Sequence, residues 1–344
     1  MDTWKLARSK WVQIAISVVG AIIVSVAFFT FKSIAQTGGN GFSVSPTRIV
    51  IDSEQALPGA SIETEEITVT NVTNETITAR VDARDFIAGE DEDGTPVVVI
   101  DEDTLPQTTI KDYIEPIEPF ILEPGETRTL TVTINIPANA SPGSHFGAIL
   151  FTAQNADTDQ NVALSASVGP IVLMEVDGDI TTDLQLVEAS AVTDSDDDTN
   201  TPGESRSFFT ETPINFKLRL QNNGNTFLQP SGNIEVKNIF GSVVDSYEIN
   251  SPDSDSAERS FVLPDQIRRF ENRLSDDLIF GRYSVEGTVS YVGSSGEFIT
   301  VSETFWLIPY WLIAVIVVLI GLVVAGPKLL RNYNKGVVSR SRGR

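Results

Sequence analysis

The sequence predicts an all-β fold: two immunoglobulin-like β-sandwich domains in tandem, flanked by an N-terminal signal or anchor helix and a C-terminal transmembrane helix. Apolar and polar residues alternate with a period of two, as in residues 77–84 and 129–136, which is typical of strands that bury one face. Pro, Gly, Asn and Asp turns separate these runs, and no amphipathic helical pattern occurs between Phe42 and Phe305. Many short strands with such turns favour a sandwich.

The N-terminal end has the pattern of an export signal, in which basic residues precede an apolar run. The basic residues are Lys5, Arg8 and Lys10. The apolar run covers residues 11–31, and the small residues Ser33 and Ala35 fit cleavage before Gln36. The length of the run and the adjacent Lys32 fit an uncleaved anchor instead. Both alternatives place the residues that follow outside the membrane.

The exported part divides into two sets of expected strands, rich in the Thr, Val and Ile that strands favour. The first set covers 77–84, 130–136, 145–154 and 166–176, and the second covers 216–221, 234–236, 243–249, 283–291 and 297–305. The segments Phe120–Arg128 and Phe261–Arg268 share a rhythm. This similarity predicts either two related units or turns that are common to sandwiches in general.

The C-terminal end reads as a membrane span. An apolar run without charge covers residues 307–325, and as a helix it reaches roughly 28 Å at about 1.5 Å per residue, close to the thickness of a bilayer core. The residues expected to anchor the chain are Trp306, Tyr310 and Trp311 at the headgroup level, and Lys328 and Arg331 behind the span. A basic tail without acids stays cytoplasmic, so the β domains are expected outside the cell. A buried core helix is the alternative.

These patterns set the expected domain boundaries and the location. The boundaries are 1–35 for the signal peptide or anchor, 36–41 for a spacer, 42–180 for the first sandwich, 181–305 for the second, 306–326 for the transmembrane helix and 327–344 for the basic cytoplasmic tail. The expected location is the cell membrane, with a single span if the signal is cleaved.

Charge and cysteine content exclude several functions. The chain carries 24 Lys and Arg against 47 Asp and Glu, and Asp2 is the only acid outside residues 36–304. A negative field of this strength repels nucleic acid, which we exclude as a partner. There is no cysteine, so thiol catalysis and zinc–thiolate sites are excluded. Five arginines near the membrane-proximal end, Arg259, Arg268, Arg269, Arg273 and Arg282, are expected to form local ion pairs rather than to meet headgroups or an acidic partner.

Oxygen ligands leave Ca²⁺ as the metal that the sequence could bind, although no cofactor is required. The candidate ligands lie in two acidic runs and are Asp91, Asp93, Asp194, Asp196 and Asp198. Neither run fits the EF-hand pattern. In the run that begins at Asp194, Thr199 occupies the sixth position, where that loop needs glycine. A solvated loop is the default interpretation of both runs, with Ca²⁺ binding as the alternative, and 194–203 is too polar to pack.

Catalysis has little support in the sequence. His145 is the single histidine, with Ser141 and Ser144 nearby, but it begins an expected strand after a Pro–Gly turn, where a ring that caps a sheet end is ordinary. Pairs of carboxylates could hydrolyse glycosides, yet so many acids identify no particular pair. We therefore expect no catalytic residues and no enzyme.

Several motifs resemble those of one bacterial family. The motifs are Phe42-Ser-Val-Ser-Pro-Thr-Arg48, Leu57-Pro-Gly-Ala60, Ile67-Thr-Val-Thr-Asn-Val-Thr-Asn74, and Phe120 to Ile134 with Gly147-Ala-Ile149. Together with the order of segments, they are similar to the WxL-interacting proteins. The resemblance implies an envelope protein whose first domain contacts peptidoglycan and whose second engages a protein.

The resulting prediction is a membrane-anchored cell-surface protein that binds and scaffolds. Its expected partners are the lipid bilayer, through the C-terminal helix, and either cell-wall polymer or another surface protein. One alternative is a periplasmic-type assembly factor or chaperone that uses an exposed sheet edge. The other is a carboxylate-dependent envelope hydrolase.

Overall fold

The computed structural model describes residues 41–99, 108–155, 167–194, 203–251, 259–293 and 298–341. The predicted signal, its cleavage site, Asp196 and Asp198 lie outside these residues. The described part consists of strands, one short 3₁₀ helix at Lys111–Tyr113 and one long C-terminal helix, α1, at Tyr310–Ser341. The prediction of an all-β fold is confirmed.

Strands β1 to β12 form the N-terminal sandwich. They are β1 (Phe42–Ser45), β2 (Arg48–Ile51), β3 (Ser61–Glu63), β4 (Ile67–Asn71), β5 (Ile77–Ala88), β6 (Pro96–Val98), β7 (Phe120–Leu122), β8 (Thr127–Leu130), β9 (Thr133–Asn135), β10 (Gly143–Asn155), β11 (Ser167–Val168) and β12 (Ile171–Val176). One sheet has the order β1-β4-β8, the other is built on β2-β12-β10-β5-β6, and β3 pairs with β9. Alternate residues of both sheets, such as Val69 and Ile149, meet in one core.

Strands β13 to β20 form the C-terminal sandwich. They are β13 (Leu184–Thr193), β14 (Phe208–Phe209), β15 (Ile214–Asn222), β16 (Ser231–Asn238), β17 (Val243–Ile249), β18 (Ile267–Arg273), β19 (Gly281–Ser290) and β20 (Ile299–Leu307). The sheets have the orders β13-β15-β18 and β14-β20-β19-β16-β17. A second core, which includes Phe216 and Phe305, lies between them.

The two sandwiches share one strand order. β1-β4-β8 corresponds to β13-β15-β18, and β2-β12-β10-β5 corresponds to β14-β20-β19-β16. In each sandwich the second strand runs parallel to the last, as β2 does to β12 and β14 to β20. The acidic segment after Thr193 therefore belongs to the C-terminal sandwich, between β13 and β14, rather than between the sandwiches.

A buried asparagine ends the second strand of the three-stranded sheet in the N-terminal sandwich. Asn71 is fully buried at the end of β4. Its Nδ2 donates to the backbone oxygens of Glu75, at 2.8 Å, and Leu122, at 3.0 Å, and its Oδ1 accepts from the backbone N–H of Thr73 at 2.9 Å. The side chain thus satisfies the backbone of two turns at one end of the sandwich.

The corresponding strand of the C-terminal sandwich ends in the same way. Asn222 is fully buried at the end of β15, and its Nδ2 donates to the backbone oxygens of Thr226, at 2.7 Å, and Val262, at 2.9 Å. Its Oδ1 accepts from the backbone N–H of Gly224 at 2.9 Å. The two segments that share a rhythm, Phe120–Arg128 and Phe261–Arg268, therefore occupy equivalent places.

Two of the predicted strands were wrong in extent. The run 130–136 is divided between β8 and β9, which lie in different sheets, because Thr64 Oγ1 accepts the N–H of the intervening Val132 at 3.1 Å. The run 166–176 is divided between β11 and β12 at Gly169 and Pro170. A Cβ at Gly169 would lie 1.8 Å from the Ile149 carbonyl oxygen, and proline has no N–H for the ladder.

The start of the C-terminal helix also differs from the prediction. Trp306 and Leu307 belong to β20, and α1 begins at Tyr310 rather than at Trp306. Ile308 precedes Pro309, and a residue before proline avoids helical dihedral angles. The Pro309 carbonyl accepts from the N–H of Leu312 at 2.9 Å and so closes the first turn. The helix then continues through Pro327 to Ser341, beyond the predicted end at 326.

Candidate functional site

An apolar row on the outer face of the larger N-terminal sheet forms the centre of the contact between the sandwiches. Phe86, Phe146 and Leu173 lie on the neighbouring strands β5, β10 and β12, on the face turned away from the N-terminal core, yet all three are buried. Phe227 and Phe261 of the C-terminal sandwich pack against this row. Burial of large apolar side chains from both sides stabilises the junction.

Hydrogen bonds surround the apolar row. The Ser144 N–H donates to the Asn225 carbonyl at 2.8 Å, and the Phe227 N–H donates to Ser144 Oγ at 2.6 Å. The Thr226 hydroxyl donates to the carboxylate of Glu175. The turn at residues 225–227 of the C-terminal sandwich is thus bound to the beginning of β10, and this contact orients one sandwich on the other.

The loop between β5 and β6 joins the C-terminal sandwich through Glu92. Arg219 on β15 donates from Nε to Glu92 Oε2 at 2.6 Å and from Nη2 to the other carboxylate oxygen. The Arg269 N–H donates to the Glu92 carbonyl at 2.7 Å. The hydrogen bonds that Arg219 donates to the Glu92 carboxylate raise the pKa of Arg219. Arg269 therefore lies at the junction, and so does Arg268, whose guanidinium is next to Gly94 of the same loop. Neither lies near the membrane-proximal end, where the sequence predicted them to lie.

A charged cleft lies beside this ion pair, with a volume of about 280 Å³. It is lined by Glu90, Asp91, Glu92, Glu188, Lys217, Arg219 and Arg269. Glu188 accepts from Lys217 Nζ at 2.8 Å and from Arg219 Nη1 at 3.2 Å. Burial acts to raise the pKa of Glu188, but hydrogen bonds from Lys217, Ser190 and Ser205 outweigh it and lower the pKa to about 2.

The acidic candidates for Ca²⁺ do not come together in the part of the chain that the structure describes. Asp91 lines the charged cleft, whereas Asp93 accepts from the N–H of Thr95 at 2.7 Å, which lowers its pKa. Asp194 accepts from Asn215 Nδ2 at 3.2 Å. Among these residues no group of three or more acids or histidines is placed to hold a metal ion, so Ca²⁺ binding stays a prediction.

His145 is buried at the start of β10. Its Nδ1 lies 2.9 Å from the Thr109 carbonyl oxygen, and its Nε2 lies 2.9 Å from the Ser141 carbonyl oxygen. The carboxylate of Asp85 accepts from the Thr109 hydroxyl and from the N–H of Ile110 instead of approaching the ring. Each ring nitrogen therefore lies beside a backbone carbonyl oxygen.

Other groups occupy the outer edges of β13, β17 and β18. The outer edge of β18 receives Glu92 through the Arg269 N–H, and β13 receives residues 204–206 through the N–H of Thr193. On β17, Asp245 accepts from the N–H groups of Ser246, at 2.8 Å, and Ser275, at 2.7 Å. Such coverage protects an edge from pairing with another chain.

The edge of β8 differs from these. Its inner side pairs with β4, and no strand of the described residues pairs with its outer side. The side chains of Thr127, Arg128 and Thr129 are all exposed. β8 holds the position in its sheet that β18 holds in the other sandwich, where the edge is covered. It is therefore the candidate binding edge.

The predicted membrane anchors lie on both sides of the junction between β20 and α1. Trp306 is on β20 and stacks on Phe208, with ring centroids 6.5 Å apart. Tyr310 and Trp311 begin α1, and Lys328 and Arg331 fall within the same helix. Residues 310–327 have a mean hydropathy of 2.5 and none of this window is buried, so the helix is long and apolar enough to cross a membrane.

No family model matches the chain, and no curated protein matches it either. Among solved structures, the class 5 fimbrial chaperone CfaA is similar over 78% of this chain and 100% of its own, with 13% identity and a TM-score of 0.35. The chaperone DraB of E. coli is similar over 77% of this chain and 96% of its own, with 13% identity and a TM-score of 0.32.

A chain from the CsuC–CsuE chaperone–tip adhesion subunit complex of Acinetobacter baumannii is similar over 76% of this chain and 97% of its own, with 11% identity and a TM-score of 0.34. Similarity of this degree carries no argument about activity or partner. The resemblance to WxL-interacting proteins stays a prediction.

Proposed function

We propose that the chain is a membrane-anchored binding protein that holds a protein partner by strand addition at β8. The observation that carries this proposal is the exposed outer edge of β8, because the corresponding edge in the C-terminal sandwich is covered. Backbone N–H and C=O groups at an open edge bind an extended segment, and the exposed side chains select it. Such a protein acts by capture and presentation, as a scaffold or an assembly factor, and needs no catalytic group.

The path from the membrane to this edge supports the proposal. Only Ile308 and Pro309 separate β20 from α1, so the C-terminal sandwich has little freedom to move relative to the span. The buried row around Phe146 and the ion pair of Arg219 then attach the N-terminal sandwich to it. We infer that the chain presents β8 in a restricted orientation outside the membrane. A protein partner is favoured over wall polymer because an open strand edge recognises polypeptide.

A photo-crosslinking amino acid at Thr129 tests the proposal in cells that produce the full chain. Thr288 provides the matched control, because it is an exposed threonine on β19 that lies opposite Asn233 of β16 on one side and opposite Thr300 of β20 on the other. We expect one discrete protein adduct from Thr129 and none from Thr288. Equal adducts at both positions, or adducts with wall polymer alone, would contradict strand addition.

Single cysteines test the anchoring independently, since the chain contains no other cysteine. On intact cells we expect a membrane-impermeant maleimide to modify Thr129→Cys and to leave Ser341→Cys unmodified. Ser341→Cys should react once the membrane is permeabilised. Modification of Ser341→Cys before permeabilisation would refute a span with a cytoplasmic C-terminus.

A further inference from the structure

Large apolar side chains are exposed at one end of the C-terminal sandwich, where β20 leads into α1. Their exposed fractions are 62% for Phe208, 62% for Ile239, 89% for Phe240, 65% for Ile279 and 52% for Phe280. Single exposed apolar residues are ordinary, but several at one end of a domain mark an interaction surface. We call these five residues the apolar rim.

Strand register places the whole apolar rim beside the start of α1. Phe208 pairs with Trp306 in the parallel ladder of β14 and β20, and Ile239 and Phe240 form the turn between β16 and β17. Asn238, just before that turn, is opposite Tyr283, which is opposite Phe305. Neighbouring strands are about 4.8 Å apart, so the turn lies on the order of 10 Å sideways from the last residues of β20.

Two residues of the apolar rim make ring contacts with α1 or with the end of β20 that leads into it. The rings of Phe280 and Trp311 meet edge to face, with centroids 6.1 Å apart, and Phe208 stacks on Trp306. The loop with Ile279 and Phe280 is therefore at the level where α1 begins. If α1 crosses the bilayer, the lipid surface must pass through this level.

The turn at Phe240 is also held in one conformation. Asn238 Oδ1 accepts from the N–H of Phe240, at 3.0 Å, and from the N–H of Ser242, at 3.1 Å. The Gly241 N–H donates to the Asn238 carbonyl at 2.9 Å, and Gly241 has a φ of 79°. Three hydrogen bonds thus support a turn with two large apolar residues, which is an arrangement suited to a fixed insertion point.

We propose that the apolar rim inserts into the interfacial region of the bilayer and seats the C-terminal sandwich on the membrane. The proposal rests on the membrane anchoring in the proposed function and adds a second, peripheral contact to it. The occupant is lipid, because the rim is continuous with the apolar helix that begins next to it, and aromatic rings favour the headgroup level. Asp276 and Asp277 lie in the adjacent loop, so binding depends on apolar contact rather than on anionic lipid.

The test uses the purified full chain in phosphatidylcholine vesicles, with the polarity-sensitive dye NBD on one introduced cysteine. Phe240→Cys reports on the rim, Thr300→Cys on an exposed strand away from it and Leu319→Cys on the middle of α1. We expect lipid with a doxyl group near the headgroup to quench Phe240→Cys several-fold more than Thr300→Cys. Aqueous iodide should show the opposite order.

The control at Leu319 separates the two possible failures. Suppose that doxyl lipid quenches NBD on Leu319→Cys, while iodide quenches NBD on Phe240→Cys as strongly as on Thr300→Cys. The rim then does not insert, although the anchoring by α1 stands. If iodide quenches Leu319→Cys, both the anchoring and the inserted rim are refuted. Because Phe240 is exposed, its replacement leaves the core intact. Inclusion of phosphatidylglycerol should leave the lipid quenching unchanged, and an increase would contradict the apolar mode of contact.

Discussion

Glu92 and Arg219 lie 127 residues apart in the chain and join the two sandwiches, with Arg219 Nε 2.6 Å from Glu92 Oε2. Both side chains are about a quarter exposed, and Arg219 also contacts Glu188. The planar guanidinium donates one hydrogen bond to each oxygen of the carboxylate. Two parallel hydrogen bonds fix the relative orientation of the two groups as well as attracting them. This pair holds the β5–β6 loop on the C-terminal sandwich, in addition to the covalent connection between β12 and β13.

Removal of either member of this pair should weaken the junction. In a double-mutant cycle with Glu92→Gln and Arg219→Gln, we expect a coupling energy of roughly 1–3 kcal/mol, because the partly buried groups lose their partners. Urea unfolding of the full chain in detergent provides the measurement. The pair Arg80–Asp82 is more exposed and serves as the control, with an expected coupling below about 1 kcal/mol. Equal coupling in both cycles would contradict a special role for the junction pair.

The stability of the C-terminal sandwich should depend on pH through Glu188. Its pKa is about 2 when folded, against an ordinary value of 4.5, so its contribution is complete above about pH 5 and is lost as the pH falls from 4.5 towards 2. After allowance for solvent screening, we expect Glu188→Gln to cost roughly 1–2 kcal/mol at neutral pH and little near pH 2. Chemical unfolding of both proteins across this range would reveal the difference, and a constant difference would refute it.

Close backbone contact at the junction should make Gly143 intolerant of a side chain. Gly143 has a φ of 106°, and a Cβ there would lie 2.3 Å from the Asn225 carbonyl oxygen. Gly125 also has a positive φ, 75°, but has open space around it, and therefore separates dihedral strain from collision. We expect Gly143→Ala to lower stability by at least about 2 kcal/mol more than Gly125→Ala. Thermal unfolding measures this, and similar losses would show that the contact relaxes easily.

The two equivalent asparagines should be equally important for their own sandwiches. Asn71→Ala and Asn222→Ala each remove a buried donor to backbone carbonyl oxygens, such as those of Leu122 and Thr226, and the acceptor of one backbone N–H. We expect each to cost roughly 2–4 kcal/mol. Asn135→Ala is the control, because Asn135 is exposed and donates to Glu115 at 2.8 Å, and it should cost less than about 1 kcal/mol. A small effect of Asn222→Ala beside a large effect of Asn71→Ala would contradict the equivalence.

Local chemistry predicted much of the fold. The alternation in 77–84 and 216–221 predicted β5 and β15, and the range of β17 agreed at both ends with the prediction of 243–249. The similar segments at Phe120 and Phe261 pointed to equivalent turns. The division of 130–136 between two sheets could not be predicted, because it depends on Thr64, a distant residue, taking the N–H of Val132.

The junction was not predicted, although it left a signal in the sequence. The run at Val172, Leu173 and Met174 is apolar on both faces, which indicates a strand covered on both sides. It does not reveal that Phe227 and Phe261 provide the cover. Likewise, the acidic run at Glu90–Gly94 suggested a metal or a solvated loop, whereas Glu92 meets Arg219.

The sequence by itself determined the strand character, the turns and the apolar helix, because each follows from the preferences of neighbouring residues. Only the tertiary structure decided that one sandwich is seated on the other, that β8 keeps an open edge, and that the apolar rim lies beside the start of α1. These features depend on pairs of surfaces contributed by segments far apart in the chain. The free energy of such a contact depends on shape and charge at both surfaces. The local alternation of apolar and polar residues does not indicate which two surfaces will meet.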